Sequence, residues 1–195
     1  ERDAIVVAKH FSLPIERMDL SSAYDAMVAS VQPTVRAVKP MGTAAGTSGE
    51  ASADLRARLP LANMKPRLRM TALYFMANSL SYLVAGTGNR SEAAIGYFTK
   101  WGDGGVDVLP LGRLVKSQVR ALAQELRVPP EIVDKPPSAG LWIGQTDEDE
   151  MGFTYAELEG YLKKGAQGVS PALAMKIERL ERASQHKREL PAVPD

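Results

Sequence analysis

Cysteine is absent from this 195-residue sequence. Its absence excludes a disulfide scaffold and metal sites built from thiolates, and it favours a cytoplasmic protein, because disulfides are rare in that compartment. No apolar run approaches the ~20 residues that span a bilayer, and the first residues do not have the pattern of a signal peptide. The net charge is only +1, so binding to nucleic acid or to a membrane surface is not expected.

Strand-like segments are also scarce. The candidates are residues 13–20, residues 81–86 (SYLVAG) and, as a strand or an extended segment, residues 106–112 (VDVLPLG). They alternate with helical patterns, which predicts a single α/β domain with a parallel sheet over residues 1–195. Two or three strands are too few for a parallel sheet, which is covered on both faces. Either the chain is incomplete or a partner supplies further strands.

Helical periodicity and capping residues mark the other elements. Helices are predicted over 1–11, from Ser21 or Ser22 to 32, over 63–80 with Pro66 near the start, over 89–98, over 114–128, after a Thr154 cap with Glu157, and after a Ser170 cap with Pro171. The helix over 114–128 is expected to be amphipathic, with these apolar residues on one side: Leu114, Val115, Val119, Leu122, Ala123 and Leu126. Segment 129–152, rich in proline and glycine, is predicted to be mobile.

Residues 32–57 have few large apolar side chains, and we interpret them mostly as loop. Within them, GTAAGTSG (42–49) has some likeness to a phosphate loop. No Lys-Ser or Lys-Thr follows it and no strand precedes it, so a flexible connection is the favoured interpretation.

The end of SYLVAG is the first place to look for a ligand, because ligands of open α/β sheets bind beyond the carboxyl ends of the strands. Gly86 and Gly88 let a ligand approach the backbone closely, and Thr87 offers a hydroxyl. Glu92 lies in the first turn of the next helix. It is either a favourable partner of the helix dipole, worth ~0.3–1 kcal/mol, or a magnesium-binding carboxylate that faces phosphates.

A second candidate is the loop within YFTKWGDGGVDVLPLG (97–112), where Lys100, Asp103 and Asp107 surround three glycines. Two carboxylates near a lysine can bind a cation, orient an amine or hold ribose hydroxyls. The alternative is a solvated turn. A turn of this length does not need three glycines, so a functional loop is favoured.

Four stretches carry a resemblance to a known family: NMKPRLRM, VAGTGNRSEAAIGYFTKWGDGGVDVLPLGRLVKSQVRALA, EIVDKPPSAGLWIGQTDEDEMGFTY and HKRELP. In this order they closely resemble ammonia-dependent NAD synthetase, a ligase of the ATP pyrophosphatase superfamily. The match extends from about residue 60 to 191, and more weakly through 1–31. The resemblance implies a Rossmann-like parallel sheet with flanking helices and a homodimer that shares its site across the interface.

The implied reaction uses ATP to adenylate the nicotinate carboxylate of deamido-NAD, after which ammonia displaces AMP. Carried over from the family, the ATP contacts are Thr87, Lys116 and Ser138, with Mg²⁺ on Glu92; the deamido-NAD contacts are Arg67, Lys100, Asp107, His186 and Lys187. Asp103, Asp107 and Lys116 are the expected catalytic residues. Ser138 stands where the family usually has Thr, and it keeps the hydroxyl.

The resemblance also suggests that residues 136–152 order over the substrates. Trp142 is then either a lid residue or a side chain that packs on a neighbouring helix. The acidic run DEDE (147–150) is interpreted as a solvated approach to a helix rather than a metal site.

The family begins with a strand and a phosphate loop of the form SGGxDS, and this sequence contains no match to it. We therefore expect the N-terminal strands and the phosphate loop to lie outside this chain, and the chain alone to be unable to adenylate its substrate. Two alternatives remain at this point: a glutamine-dependent NAD synthetase domain, and a catalytically incompetent dimeric nucleotide-binding protein.

Overall fold

Nine α-helices dominate the residues that the structure, a computed structural model, describes: 1–37, 50–142 and 144–194. They are α1 (Arg2–His10), α2 (Ser21–Ala37), α3 (Glu50–Leu80), α4 (Arg90–Ile95), α5 (Lys116–Glu125), α6 (Pro130–Val133), α7 (Asp147–Met151), α8 (Tyr155–Lys164) and α9 (Pro171–Ser184). Two 3-10 helices, Gly165–Gly168 and Gln185–Lys187, follow α8 and α9. Within the described ranges, no helix is long and apolar enough to cross a membrane.

Side-chain caps set the starts of α8 and α9 as the sequence predicts. The Thr154 hydroxyl accepts a hydrogen bond from the Glu157 backbone N–H at 3.2 Å, and the Glu157 carboxylate accepts one from the Thr154 N–H at 2.8 Å. Ser170 caps α9 through the N–H of Leu173, and Pro171 is the first residue of that helix. These caps satisfy backbone donors that have no partner inside the helix.

The loop prediction for residues 32–57 is wrong at both ends. α2 continues to Ala37, and α3 begins at Glu50, well before the predicted start near Asn63. Ala, Leu, Arg and Glu dominate the start of α3, and their high helix propensity outweighs the lack of large apolar groups. The phosphate-loop question at 42–49 falls on residues outside the described ranges.

The strand predictions are only partly supported. Residues 13–20 contain no strand, and the side chain that accepts from the first N–H of α2 is Asp19, not Ser21 or Ser22. Segments 81–86 and 106–112 do run parallel, through one bridge between Ala85 and Val108. Two short segments without further neighbours cannot extend a ladder, so the described residues do not confirm the Rossmann-like sheet.

Two apolar clusters support the site. The larger one joins α4, α7, α8 and α9, and its buried members are Ile95, Met151, Phe153, Tyr155, Leu158 and Ile177. The smaller one packs α3 on the parallel pair, through Met70, Ala77 and Val84. α5 is a helix as predicted, but none of its residues is buried and Leu122 and Leu126 are exposed. α5 contacts α6 and α8, and Val119 and Ala123 are partly buried, so the apolar side of this helix is covered only in part.

Candidate functional site

An ion pair lies where α4 follows the parallel pair of segments. Asn89 and Glu92 close a capping box: each side chain accepts from the other residue's backbone N–H at 3.1 Å. The remaining oxygen of Glu92, Oε1, accepts from Lys116 Nζ at 2.9 Å. Glu92 thus serves the helix start through one oxygen and pairs with a lysine through the other.

The backbone of Lys116 is fixed by a buried hydroxyl. Ser91 is completely buried, and its Oγ accepts from the Lys116 N–H at 3.1 Å, at the first residue of α5. The Lys116 side chain is 28% exposed, and its ammonium lies 5.1 Å from the centroid of the Tyr155 ring. These contacts hold the ammonium at the surface of a cavity without burying it.

That cavity has a volume of 640 Å³ and brings together three of the predicted site residues, Lys116, Ser138 and Trp142. Trp142 is half-buried, and it lines the cavity with Gln145 and Thr146, at the start of α7. Thr87 is exposed, two residues after the bridge at Ala85. It is not among the described residues that line the cavity.

Three of the five residues predicted to hold deamido-NAD are linked by hydrogen bonds. Arg67 Nε donates to the Lys100 carbonyl oxygen at 3.2 Å, and Lys100 Nζ donates in turn to the His186 carbonyl oxygen. The Asp107 carboxylate accepts from the Val84 N–H at 2.7 Å. The Asp107 side chain therefore links the two parallel segments to each other.

Lys187 connects the end of the chain to the glycine-rich loop. Its ammonium donates to the carbonyl oxygens of Gly96, at 2.7 Å, and Phe98, at 2.8 Å. Burial lowers the pKa of Lys187, and the charge of Asp103 partly opposes this effect. Lys187 and Asp103 line a second cavity, of 340 Å³.

The glycines of the loop have a packing role that sequence reasoning missed. A Cβ on Gly104 would lie 2.3 Å from the Phe98 ring, and a Cβ on Gly102 would lie 3.0 Å from Pro66 and Thr99. At Trp101 the backbone is left-handed, with φ of 64°. At positions 102 and 104, only glycine leaves enough room for the loop backbone to pack against neighbouring side chains.

A carboxylate–phenol network was also missed. Asp147, interpreted from the sequence as solvated, is buried, and its Oδ2 accepts from the Tyr155 hydroxyl at 2.7 Å. Nearby, the Tyr97 hydroxyl donates to Glu150 at 2.7 Å. Burial, followed by these hydrogen bonds to carboxylates, strongly raises the pKa of both phenols. The only available signal was that Asp147 and Tyr155 each open a short helix, eight residues apart.

Magnesium would have one protein ligand here. Within the described ranges there is no group of three or more His, Cys, Asp or Glu side chains that could hold a metal ion. Mg²⁺ usually keeps several waters and binds one or two carboxylates together with substrate phosphates. Glu92, a single carboxylate beside a lysine, fits that pattern only when phosphates complete the coordination.

Solved structures that superimpose on this chain include an NMN synthetase and an NAD synthetase. The NMN synthetase of Francisella tularensis superimposes with a TM-score of 0.83, at 38% identity, over 100% of this chain and 72% of that chain. The NH3-dependent NAD synthetase of Campylobacter jejuni superimposes with a TM-score of 0.69, over 100% of this chain and 71% of that chain; at 24% identity it supports the fold alone. The likeness is consistent with an α/β fold.

The chain belongs to the NAD synthase family, whose model matches residues 1–191. It is 48% identical to the NH(3)-dependent NAD(+) synthetase of Carboxydothermus hydrogenoformans, over 100% of this chain and 72% of that protein. It is 44% identical to the enzyme of the same name from Syntrophomonas wolfei, over 98% of this chain and 70% of that protein. The predicted family, the ligase class and the role in NAD biosynthesis are thereby confirmed.

Proposed function

We propose that this protein catalyses the ATP-dependent amidation of deamido-NAD with ammonia, giving NAD, AMP and pyrophosphate. Family membership supports the reaction type. The structural observation that carries the proposal is the Lys116 ammonium, which is paired with Glu92 and lies at a 640 Å³ cavity also lined by Ser138. A cation and a hydroxyl at one cavity suit the phosphate groups of a nucleotide.

The reaction proceeds in two displacements. An oxygen of the nicotinate carboxylate attacks the α-phosphorus of ATP, the bond to pyrophosphate breaks, and an acyl adenylate forms. Ammonia nitrogen then attacks the acyl carbon, AMP leaves, and the nitrogen loses a proton to give the amide. Because water would hydrolyse the adenylate, the site must exclude water. Trp142 and the segment before α7 are proposed to supply that cover.

On the ATP side, Lys116 is proposed to bind a phosphate, and Thr87 and Ser138 to contact the nucleotide. Glu92 would hold Mg²⁺, which supplies charge neutralisation on the phosphates when bound. Glu92 Oε1 lies 2.9 Å from Lys116 Nζ, so Glu92 would hold the metal close to the lysine that is proposed to bind phosphate. Lys116 is also the proposed catalytic cation, because it can stabilise charge that develops on the phosphates.

On the deamido-NAD side, the proposed contacts are Arg67, Lys100, Asp107, His186 and Lys187. The link from Arg67 through Lys100 to His186 supports a shared binding surface. Asp103 is proposed to act near the nicotinate and ammonia, together with Asp107. Asp103 accepts from the Thr99 N–H at 3.0 Å and its side chain remains exposed at the second cavity.

A homodimer is part of the proposal. α3 and the segment after it expose large apolar side chains in the isolated chain: Leu73, Phe75, Leu80, Tyr82 and Leu83. Apolar groups grouped in this way are typical of a surface that another element covers. Light scattering coupled to size exclusion will give twice the monomer mass if a second copy covers it.

The function is tested with the full-length native protein, ATP, Mg²⁺, deamido-NAD and isotope-labelled ammonia. We expect label in the amide of NAD, with one AMP formed for each NAD. Absence of labelled NAD would reject the proposal. Replacing ammonia by labelled glutamine tests the glutamine-dependent alternative in the same assay.

The Francisella structure favours a second candidate substrate. That protein is an NMN synthetase, and its superposition on this chain is extensive. Nicotinate mononucleotide carries the same carboxylate but lacks the adenylate half of deamido-NAD. Comparing kcat/KM for the two substrates decides between them, and the higher value for nicotinate mononucleotide would reassign the substrate while leaving the chemistry unchanged.

A further inference from the structure

A buried carboxylate lies close to the Lys116 end of the cavity. Asp147 is only 4% exposed, and its Oδ2 accepts from the Tyr155 hydroxyl at 2.7 Å. Its Oδ1 has no hydrogen-bond partner among the described residues. Burying a carboxylate with an unsatisfied oxygen is costly. Packing alone therefore does not explain an aspartate at this position.

The ring of Tyr155, the phenol bonded to Asp147, lies against the ammonium of Lys116. Tyr155 is 6% exposed, and Lys116 Nζ lies 5.1 Å from its ring centroid. This cation–π contact attracts the ammonium without using any of its three N–H donors. Glu92 takes one donor at 2.9 Å. The ring thus fixes the ammonium while two donors stay available to a ligand.

The hydrogen bond to Asp147 fixes the ring in turn. A phenol that donates to a carboxylate becomes more electron-rich at oxygen, because hydrogen-bonded groups polarise one another. The negative potential of the ring face grows accordingly. Asp147 opens α7 and Tyr155 opens α8, so the bond also ties the starts of two helices together under the lysine.

We propose that Tyr155, held by Asp147, is a positioning residue that directs the Lys116 ammonium at the phosphates of ATP. This inference rests on the proposed function. Tyr155 acts through Lys116 and does not itself touch the reacting atoms. Its removal should weaken ATP binding specifically, whereas a merely structural Tyr155–Asp147 pair would affect all ligands or stability alone.

Tyr161 provides a matched control on the same helix. It packs against the same apolar cluster, and its hydroxyl also donates to a carboxylate, that of Glu181, at 3.4 Å. None of the lysine–ring contacts among the described residues involves Tyr161. The same substitution at the two tyrosines therefore separates the loss of a core aromatic ring from the loss of the Lys116 contact.

The experiment compares Tyr155→Leu, Tyr155→Phe and Tyr161→Leu in the full-length protein. Calorimetry gives the Kd of Mg-ATP without deamido-NAD, and separately the Kd of deamido-NAD. We expect Tyr155→Leu to raise the Kd for ATP about 2- to 30-fold, the range for loss of a cation–π contact between the exposed and the desolvated limit. Tyr155→Phe, which keeps the ring, should restore most of the affinity. All three variants should bind deamido-NAD as the native protein does.

Unchanged ATP affinity in Tyr155→Leu would overturn the inference, as would an equal loss in Tyr161→Leu or an equal loss for deamido-NAD. If Tyr155→Leu does not fold, the role of the ring is tested instead with phenylalanines that carry one, two and three ring fluorines at position 155. Fluorine weakens the ring's attraction for a cation with little change of shape, so the Kd for ATP should rise with each fluorine, and a flat series rejects the role. NAD formation by the native protein tests the proposed function independently.

Discussion

The two sides of the candidate site use their charged side chains differently. On the proposed ATP side, Lys116 and Glu92 pair with each other, both are partly exposed, and Lys116 lines a cavity. On the proposed deamido-NAD side, Lys187 and Lys100 donate to backbone carbonyl oxygens, and Asp107 accepts from a backbone N–H. Removing a charge should therefore mainly weaken ligand binding on the first side, and mainly lower the free energy of unfolding on the second.

The largest effect is expected from Lys116→Met. Loss of a cation that binds phosphate should lower kcat/KM for ATP by about 100-fold. The free energy of unfolding should fall by about 1–2 kcal/mol, because Glu92, whose side chain is 19% exposed, loses its lysine partner but keeps its bond to the Asn89 N–H. Steady-state kinetics and thermal unfolding measure both quantities. Lys176→Met is the control: that lysine also lies over a ring, Phe153, and donates to a carbonyl oxygen, but outside the site. Native ATP kinetics in Lys116→Met would contradict the assignment.

Lys187→Met should show the opposite pattern. Two carbonyl oxygens, those of Gly96 and Phe98, lose their lysine donor. We expect the free energy of unfolding to fall by about 2–3 kcal/mol, since leaving buried acceptors unsatisfied costs about 1–3 kcal/mol each and part of the loss is recovered by water. Urea denaturation measures the change. Lys163→Met, at an exposed position of α8, is the control. Equal stability of the two variants would contradict a structural role for Lys187.

The sequence predicts best those features that depend on residues close together in the chain. The caps of α8 and α9 depend on residues three apart, and the structure confirms them. The ion pair of Glu92 and Lys116 joins residues 24 positions apart, and only the family resemblance pointed to both. The Asp147–Tyr155 bond was missed because an acidic run is normally solvated, and no pattern in DEDE distinguishes its one buried carboxylate.

The sheet was harder to predict than the helix caps for a related reason. Helix propensity is local, but a parallel sheet depends on neighbours distant in sequence. The segments around Ala85 and Val108 are correctly parallel, yet one bridge is all that the described residues form. The apolar side of α5 shows the same limit, because periodicity reveals an apolar face and not the element that covers it.

Gly104→Ala tests the packing of the loop on the deamido-NAD side. The new methyl would lie 2.3 Å from the Phe98 ring, so the ring or the loop must move. We expect a loss of about 1–2 kcal/mol in the free energy of unfolding, typical of overpacking. At Gly88 the nearest side chain would be 3.6 Å away, an ordinary contact. Gly88→Ala should therefore lose less stability, and a reversed order would mean that the loop tolerates the methyl.

The smallest effect is a dependence of stability on pH at Lys187. Burial lowers its pKa in the folded protein below the ordinary value of 10.5, so the unfolded chain binds this proton more tightly. As pH rises through the folded-state pKa toward 10.5, the folded state loses the proton first, and the contribution of Lys187 to stability increases. Below the folded-state pKa that contribution is constant.

Urea denaturation of the native protein and of Lys187→Met, between about pH 8 and pH 10.5, isolates this contribution, because other titrating groups cancel in the difference. The stability advantage of the native protein over the variant should grow with pH in this window. An advantage that shrinks with rising pH would mean that the hydrogen bonds to Gly96 and Phe98 favour the charged ammonium more than burial disfavours it. The contrast between the two sides of the site would then be weaker.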